Sequence, residues 1–158
     1  MDLPIPKHLQ EIIYPIGMKN SEFEVTGEVR CTCGCKSFEI WESNDRQLVK
    51  TVCENCKKEY LLFDSGKHGW NGFVCGDDFL DREMPLKQYG CSKCKEYDFS
   101  IVICISSQGK ADFEEDCLLN DDSFTLNDWI NAFDWITISL SCKKCGATDR
   151  KWLDFETM

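Results

Sequence analysis

The chain has no apolar run long enough to cross a bilayer, and its opening residues, Met1-Asp2-Leu3-Pro4-Ile5-Pro6-Lys7-His8, lack the basic and apolar regions of a signal peptide. The expectation is a cytoplasmic protein without a membrane partner. Bases are scarce as well. Against 28 Asp and Glu stand 18 Lys and Arg, a formal net charge of -10, and both halves of the chain share the deficit. Such a balance disfavours the long-range attraction to phosphate that supplies most of the affinity of a DNA- or RNA-binding protein. No phosphate loop is present either: around Gly66-Lys67, Leu61 replaces the first glycine of that motif and His68 its hydroxyl residue.

What the chain does have is cysteine, 12 residues of it, mostly in four clusters: Cys31-Thr32-Cys33-Gly34-Cys35, Cys53-Glu54-Asn55-Cys56, Cys91-Ser92-Lys93-Cys94 and Cys142-Lys143-Lys144-Cys145-Gly146. Thiols stay reduced in the cytoplasm, so pairs at this spacing favour a metal over disulfides. A tetrahedral zinc ion takes four soft ligands, which two short cysteine turns supply when a hairpin brings them together. The clusters therefore predict two zinc ions per chain. Cys91, Cys94, Cys142 and Cys145 form one site directly. The other has five cysteines for four positions. Cys53 and Cys56 are clear; Cys31 and Cys33 are preferred for the rest because Gly34 suits a tight backbone approach that aims amides at a thiolate, with Cys35 left as an alternative ligand. His68 is a further replacement ligand, although four cysteines per site already suffice.

With 158 residues, 42% of them hydrophobic, the chain is long enough for one compact domain or two small ones. Residues 1–30 predict a short helix in which Pro6 fits the first turn, Leu9, Ile12 and Ile13 recur at helical spacing, and Pro15 and Gly17 end it, followed by a lead-in strand. One plan then runs twice: cysteine turn, strand, strand, cysteine turn, strand. The first copy occupies 31–80, with strands at Phe38–Trp41, Leu48–Val52 and Tyr60–Asp64 and a glycine-rich connecting loop. The second occupies 81–158, with strands at Ser100–Ile105, Trp135–Leu140 and Trp152–Phe155 and an acidic insertion at 106–134. Agreement of order and spacing reads as an internal duplication. Ile101, Ile103 and Ile105 share one face of their strand while Val102 and Cys104 share the other, predicting burial on both sides with Cys104 as a small core residue. The later half of the insertion predicts a helix capped by Thr125, with Asp128 completing a capping box and Leu126, Trp129, Ile130 and Phe133 forming an apolar stripe; the earlier half predicts a solvated acidic loop. The expected fold class is α+β, small and β-rich: two hairpin modules, a short N-terminal helix and a helix in the insertion.

These cysteine turns and trailing strands, spanning 31–56 and 91–145 with the strand after each, resemble the zinc-ribbon superfamily, in which two cysteine knuckles on β-hairpins hold one structural zinc. The one-residue gap between Cys31 and Cys33 and the long acidic insertion depart from that pattern. Superfamily members serve transcription, ribosomes, nucleic-acid enzymes and protein adaptors, so the resemblance constrains the fold far more than the task. Each four-thiolate zinc centre carries two negative charges, which would take the loaded chain to about -14. Arg30, Lys36, Lys57, Lys58, Lys93, Lys95, Lys143 and Lys144 all lie within two residues of a clustered cysteine and are placed to screen that charge.

One region invites a catalytic reading. Between Asp64 and Cys75, Gly66, Gly69 and Gly72 permit sharp turns, and His68 with Cys75 would make a nucleophile pair for a hydrolase or redox enzyme. A connecting loop is the favoured interpretation. Cys75 and Cys117, outside the clusters, carry no charge environment in the sequence that would mark them as reactive. The insertion concentrates acid, with Asp112, Glu114, Glu115, Asp116, Asp121, Asp122, Asp128 and Asp134 against Lys110 alone. The sequence therefore predicts a non-enzymatic zinc protein whose metals support a protein-interaction surface, an acidic adaptor or inhibitor of a basic partner. The alternative is a nucleic-acid-associated ribbon, with local lysines on phosphate and Trp41, Tyr60 or Trp70 stacking on a base.

Overall fold

The computed structural model describes residues 3–74, 85–119 and 126–157. It is β-rich α+β. Among the described residues there are nine strands: β1 (Ile13–Pro15), β2 (Glu24–Val29), β3 (Phe38–Glu42), β4 (Leu48–Cys53), β5 (Glu59–Asp64), β6 (Lys87–Gln88), β7 (Phe99–Ser106), β8 (Trp135–Cys142) and β9 (Thr148–Glu156). Helix α1 (Gly69–Val74) follows β5 and helix α2 (Lys110–Leu119) follows β7, while Lys7–Leu9 and Leu126–Asn131 are 3-10 turns. All nine strands join one sheet in the order β1-β2-β7-β3-β4-β5, with β8 and β9 branching from β7 and β6 pairing with β3. Every pairing is antiparallel.

The duplicated plan appears as matched pairings. Phe38 and Phe99, each five residues beyond the second cysteine of the knuckle before it, face one another across β3 and β7. Phe38 also stands opposite Cys53, and Phe99 opposite Cys142. The amide of Glu54 donates to the Ser37 carbonyl at 3.0 Å, and its counterpart on Lys143 donates to Asp98 at 2.8 Å. Lead-in strands are traded. β2, which runs into Cys31, pairs with β7 of the second copy, with Glu28 opposite Val102; β6, which runs into Cys91, pairs with β3 of the first, with Gln88 opposite Trp41. Glu28 and Gln88 both lie three residues before their cysteine, so the exchange is reciprocal in register.

Alternation fixes which face is core. Ile101, Ile103 and Ile105 of β7 and Ile136, Ile138 and Leu140 of β8 are buried, joined by Phe38, Ile40, Val49, Leu62 and Leu153. The opposite face of β7 is only half-buried, because among the described residues no second layer covers it. Cys104 is therefore on the open face, 3.2 Å from Glu24 Oε1, and not in the core as its apolar neighbours suggested. A smaller cluster of Phe113, Cys117, Trp129 and Ala132 packs with Trp70 and Ile130.

Two helix expectations need correction. Near the N-terminus only Lys7–Leu9 turns, and Ile13 enters β1 opposite Val29. Leu9, Ile12 and Ile13 are all buried as a helical stripe would be, but Arg30 donates to the Ile12 carbonyl at 2.8 Å, so cross-strand bonds replace helical ones. In the insertion the α-helix falls on Lys110–Leu119, where a loop was expected, and the predicted helix is a 3-10 turn. Phe113 and Cys117, four apart, are the buried stripe of α2; two residues among many acids left that periodicity faint. Trp129 and Phe133 are buried as expected, and the proposed Thr125 cap lies outside the described residues.

One residue ties the two copies together from the β3-β4 turn. Arg46 donates to the Trp152 carbonyl at 2.6 Å and to Glu42 at 2.8 Å, with its guanidinium 4.4 Å from the Trp152 ring and 5.5 Å from that of Tyr89. A charged donor on a carbonyl together with ring stacking makes Arg46→Ala cost about 2 kcal/mol. Denaturant unfolding of metal-loaded protein checks this; an unchanged midpoint would contradict it.

Candidate metal centres

Cys31, Cys33, Cys53 and Cys56 converge at the start of the first hairpin, and Cys91, Cys94, Cys142 and Cys145 at the start of the second. Within each group the sulfurs lie within 4.8 Å of one another. Cys31 and Cys56 are 3.4 Å apart, Cys33 and Cys53 3.6 Å, Cys91 and Cys145 3.6 Å, and Cys94 and Cys142 3.5 Å. A tetrahedron with metal–sulfur bonds of about 2.3 Å has edges of about 3.8 Å, so these spacings fit one ion held by four thiolates. No disulfide joins the described cysteines.

The four knuckles share one backbone device. The residue after the second cysteine, Gly34, Lys57, Lys95 or Gly146, takes a left-handed conformation with φ of 94, 64, 66 and 77°. Its amide donates to the carbonyl of the first cysteine at 2.8 to 3.0 Å. Lysine in that conformation costs about 1 kcal/mol that glycine does not, so the turn itself is what these positions maintain. The amide of the first cysteine then closes the loop onto the carbonyl of Lys58, Glu96 or Ala147 in three knuckles, and onto that of Cys35 in the first. Cys35 thus occupies a backbone position that no ligand holds elsewhere. Its sulfur turns away to the Ser37 amide at 3.4 Å.

Electrostatics divide the thiols within each group. At Cys31 burial opposes ionisation, but the Cys33 amide, the Tyr60 hydroxyl and the Cys56 thiol outweigh it and bring the thiol down to about 6. Cys91 reaches about 6 through the Cys94 and Lys93 amides. Burial pushes Cys53 up to about 12. Cys94 gains from the Glu96 amide, yet desolvation and the three neighbouring thiols push it up to about 12. Cys33 and Cys142 are lowered as well and Cys56 is raised, so each group holds two thiols that ionise readily beside at least one that resists, and a cation at the centre would remove that resistance.

Sequence reasoning missed two outer partners of the first group. Tyr60 is buried with its hydroxyl 3.2 Å from Cys31 Sγ, where it accepts from the Thr32 amide at 3.2 Å, and Asn55 Nδ2 donates to Cys33 Sγ at 3.6 Å. Neither carries a local signal, since Tyr60 looks like any strand aromatic. The knuckle cations also differ between groups. Lys36 pairs with Glu28, Lys57 with Glu39 and Glu54, and Lys58 with Glu11. Lys93, Lys95, Lys143 and Lys144 are exposed and have no carboxylate partner among the described residues.

His68 belongs to neither group of sulfurs. Its Nδ1 accepts from the Asp64 amide at 2.9 Å, and its ring stacks on His8 with centroids 3.6 Å apart and planes 5° from parallel. His8 donates from Nε2 to the Leu62 carbonyl at 3.0 Å. Cys75, its suggested partner, lies outside the described residues. Cys117 is on the buried side of α2. No protein-family model, curated protein or solved structure matches the chain. No helix among the described residues is long and apolar enough to cross a membrane.

Two measurements follow from this geometry. Tyr60→Phe removes the hydroxyl facing Cys31 and should weaken metal binding by the chain about 10- to 100-fold, as competition with a chelator reads out; an affinity equal to that of the wild type would contradict it. Burial pushes His8 down to about 4, and burial with the nearby His8 and Lys67 pushes His68 down to about 3. Both imidazoles stay neutral in the fold, whereas the unfolded chain takes up protons near pH 6.5, so their contribution is complete above about 6.5 and is lost as pH falls toward about 4. The chain has two histidines, and both imidazole proton resonances should hold their neutral positions down to about pH 5. A midpoint near 6.5 for either would contradict the stacked arrangement.

Proposed function

We propose that the chain is a non-enzymatic zinc protein in which two structural centres of zinc-ribbon type hold an acidic protein-docking surface. The observation that carries the first half is the pair of four-sulfur groups, whose spacing and all-thiolate donor set suit zinc. Bound zinc would contribute folding free energy, about 10 to 16 kcal/mol per structural site in small peptides, and would fix the knuckles at the root of each hairpin. Support for the second half comes from α2, which exposes Asp112, Glu114 and Glu115 beside Leu118 and Leu119 while Phe113 and Cys117 anchor its other side. Carboxylates flanking two uncovered leucines suit a basic partner that also brings apolar side chains.

A nucleic-acid reading has one observation in its favour, the four exposed lysines on the knuckles of the second group, which have no carboxylate partner among the described residues. Against it, two of the three aromatics expected to stack are engaged: Tyr60 is buried beside Cys31, and Trp70 packs edge-on against Phe113 at 5.7 Å, while Trp41 is half-buried.

Native mass spectrometry should find two zinc ions per chain, and a basic protein partner should be captured by the wild type and lost on changing Asp112→Asn, Glu114→Gln and Glu115→Gln together. Folded, zinc-free, disulfide-linked protein would overturn the metal reading. Capture that survives those changes but weakens steeply with salt and fails on neutralising Lys143 and Lys144 would favour nucleic acid instead.

A further inference from the structure

We propose that the two metal centres fill as one unit, because the first cysteine knuckle of each copy is reached through a strand that pairs with the other copy's hairpin. The proposal rests on the zinc reading and goes beyond it, since two independent ribbons in tandem would load separately.

The path runs through named residues. β2 leads into Cys31, a ligand of the first centre, yet its ladder lies on β7, where Glu28 faces Val102 and Gly27 faces Ile103. β7 in turn starts at Phe99, opposite Cys142 of the second centre. In the reverse direction, β6 leads into Cys91 of the second centre and lies on β3, with Glu42 facing Lys87 and the Tyr89 amide donating to Ile40 at 2.8 Å. β3 starts at Phe38, opposite Cys53 of the first centre. The two circuits meet where Phe38 faces Phe99, both buried. Ordering the first knuckle pair fixes β2 and β3, which supply the neighbours that β7 and β6 require. Ordering the second returns the same service.

Metal bound to a site that forms only on folding contributes its binding free energy to folding. When one folding step builds both sites, the first ion bears the cost of ordering the shared strands and the second binds to a site already formed. Linkage makes the effect reciprocal, so neither centre is upstream of the other.

The test is a zinc titration of the reduced, metal-free full chain, with species counted by native mass spectrometry. At one zinc per chain, independent sites leave about half of the chains with a single ion, and more if their affinities differ. Coupling of about tenfold lowers that share to about a quarter, and about a hundredfold to about a tenth. The expected result is a quarter or less, with chains holding two ions or none in the majority. A one-ion share of half or more overturns the proposal while leaving the zinc reading intact. Absence of binding in excess zinc overturns both. A second arm uses Cys56→Ser, which touches only the first centre, and reads cobalt binding at the intact second centre through its thiolate charge-transfer band. Loss of at least about tenfold in affinity is expected, and an unchanged affinity would overturn the coupling.

Discussion

Four thiols within 4.8 Å of one another repel as they ionise, and much of the chain is arranged around that constraint twice over. Each knuckle turns through a left-handed residue so that backbone amides face sulfur, which favours the charged form without spending a side chain. Lysines crowd the same turns. Around the first group they are tied to carboxylates, and around the second they have no carboxylate partner among the described residues, so two groups with the same sulfur geometry present different surfaces. The thiols left resisting ionisation, Cys53, Cys56 and Cys94, are the ones a central cation would relieve.

The second constraint is topological. A duplicated module with an edge strand exposed on each copy would invite pairing with other chains. Here the copies satisfy one another: β2 covers β7 and β6 covers β3, while Arg46 closes the seam by reaching Trp152. Both sulfur groups, the sheet and the core are consequently joined in one framework, and the insertion that carries α2 hangs from the β7-β8 pair whose register includes Cys142. An acidic helix placed there is held by the same strands that hold the second centre.

Cysteine spacing and strand alternation were legible before any coordinates, because ligand chemistry and burial both act locally. Gly34 pointed to Cys33 over Cys35 by the same backbone logic that the other knuckles display, although two of those use lysine and hide the signal. Strand exchange was not legible. β6 is a two-residue strand, Lys87–Gln88, with no apolar alternation, and it becomes a strand only because β3 offers it a partner. Ile13 and Cys104 misled for a related reason: apolar spacing reports what is buried or tolerated, and tertiary pairing decides whether the backbone bonds along a helix or across a sheet. Acid content hid α2, whose buried face is as narrow as Phe113 and Cys117. The stacking of His8 on His68 joins residues far apart in sequence and left no local trace.

The central claim is that each group of four sulfurs is a complete metal site. X-ray absorption at the zinc edge of the purified, reduced protein tests it most directly. The account predicts a single shell of four sulfurs at about 2.3 Å for both ions, with no nitrogen or oxygen ligand. A mixed shell containing nitrogen or oxygen, or a metal content near one ion per chain, would contradict it.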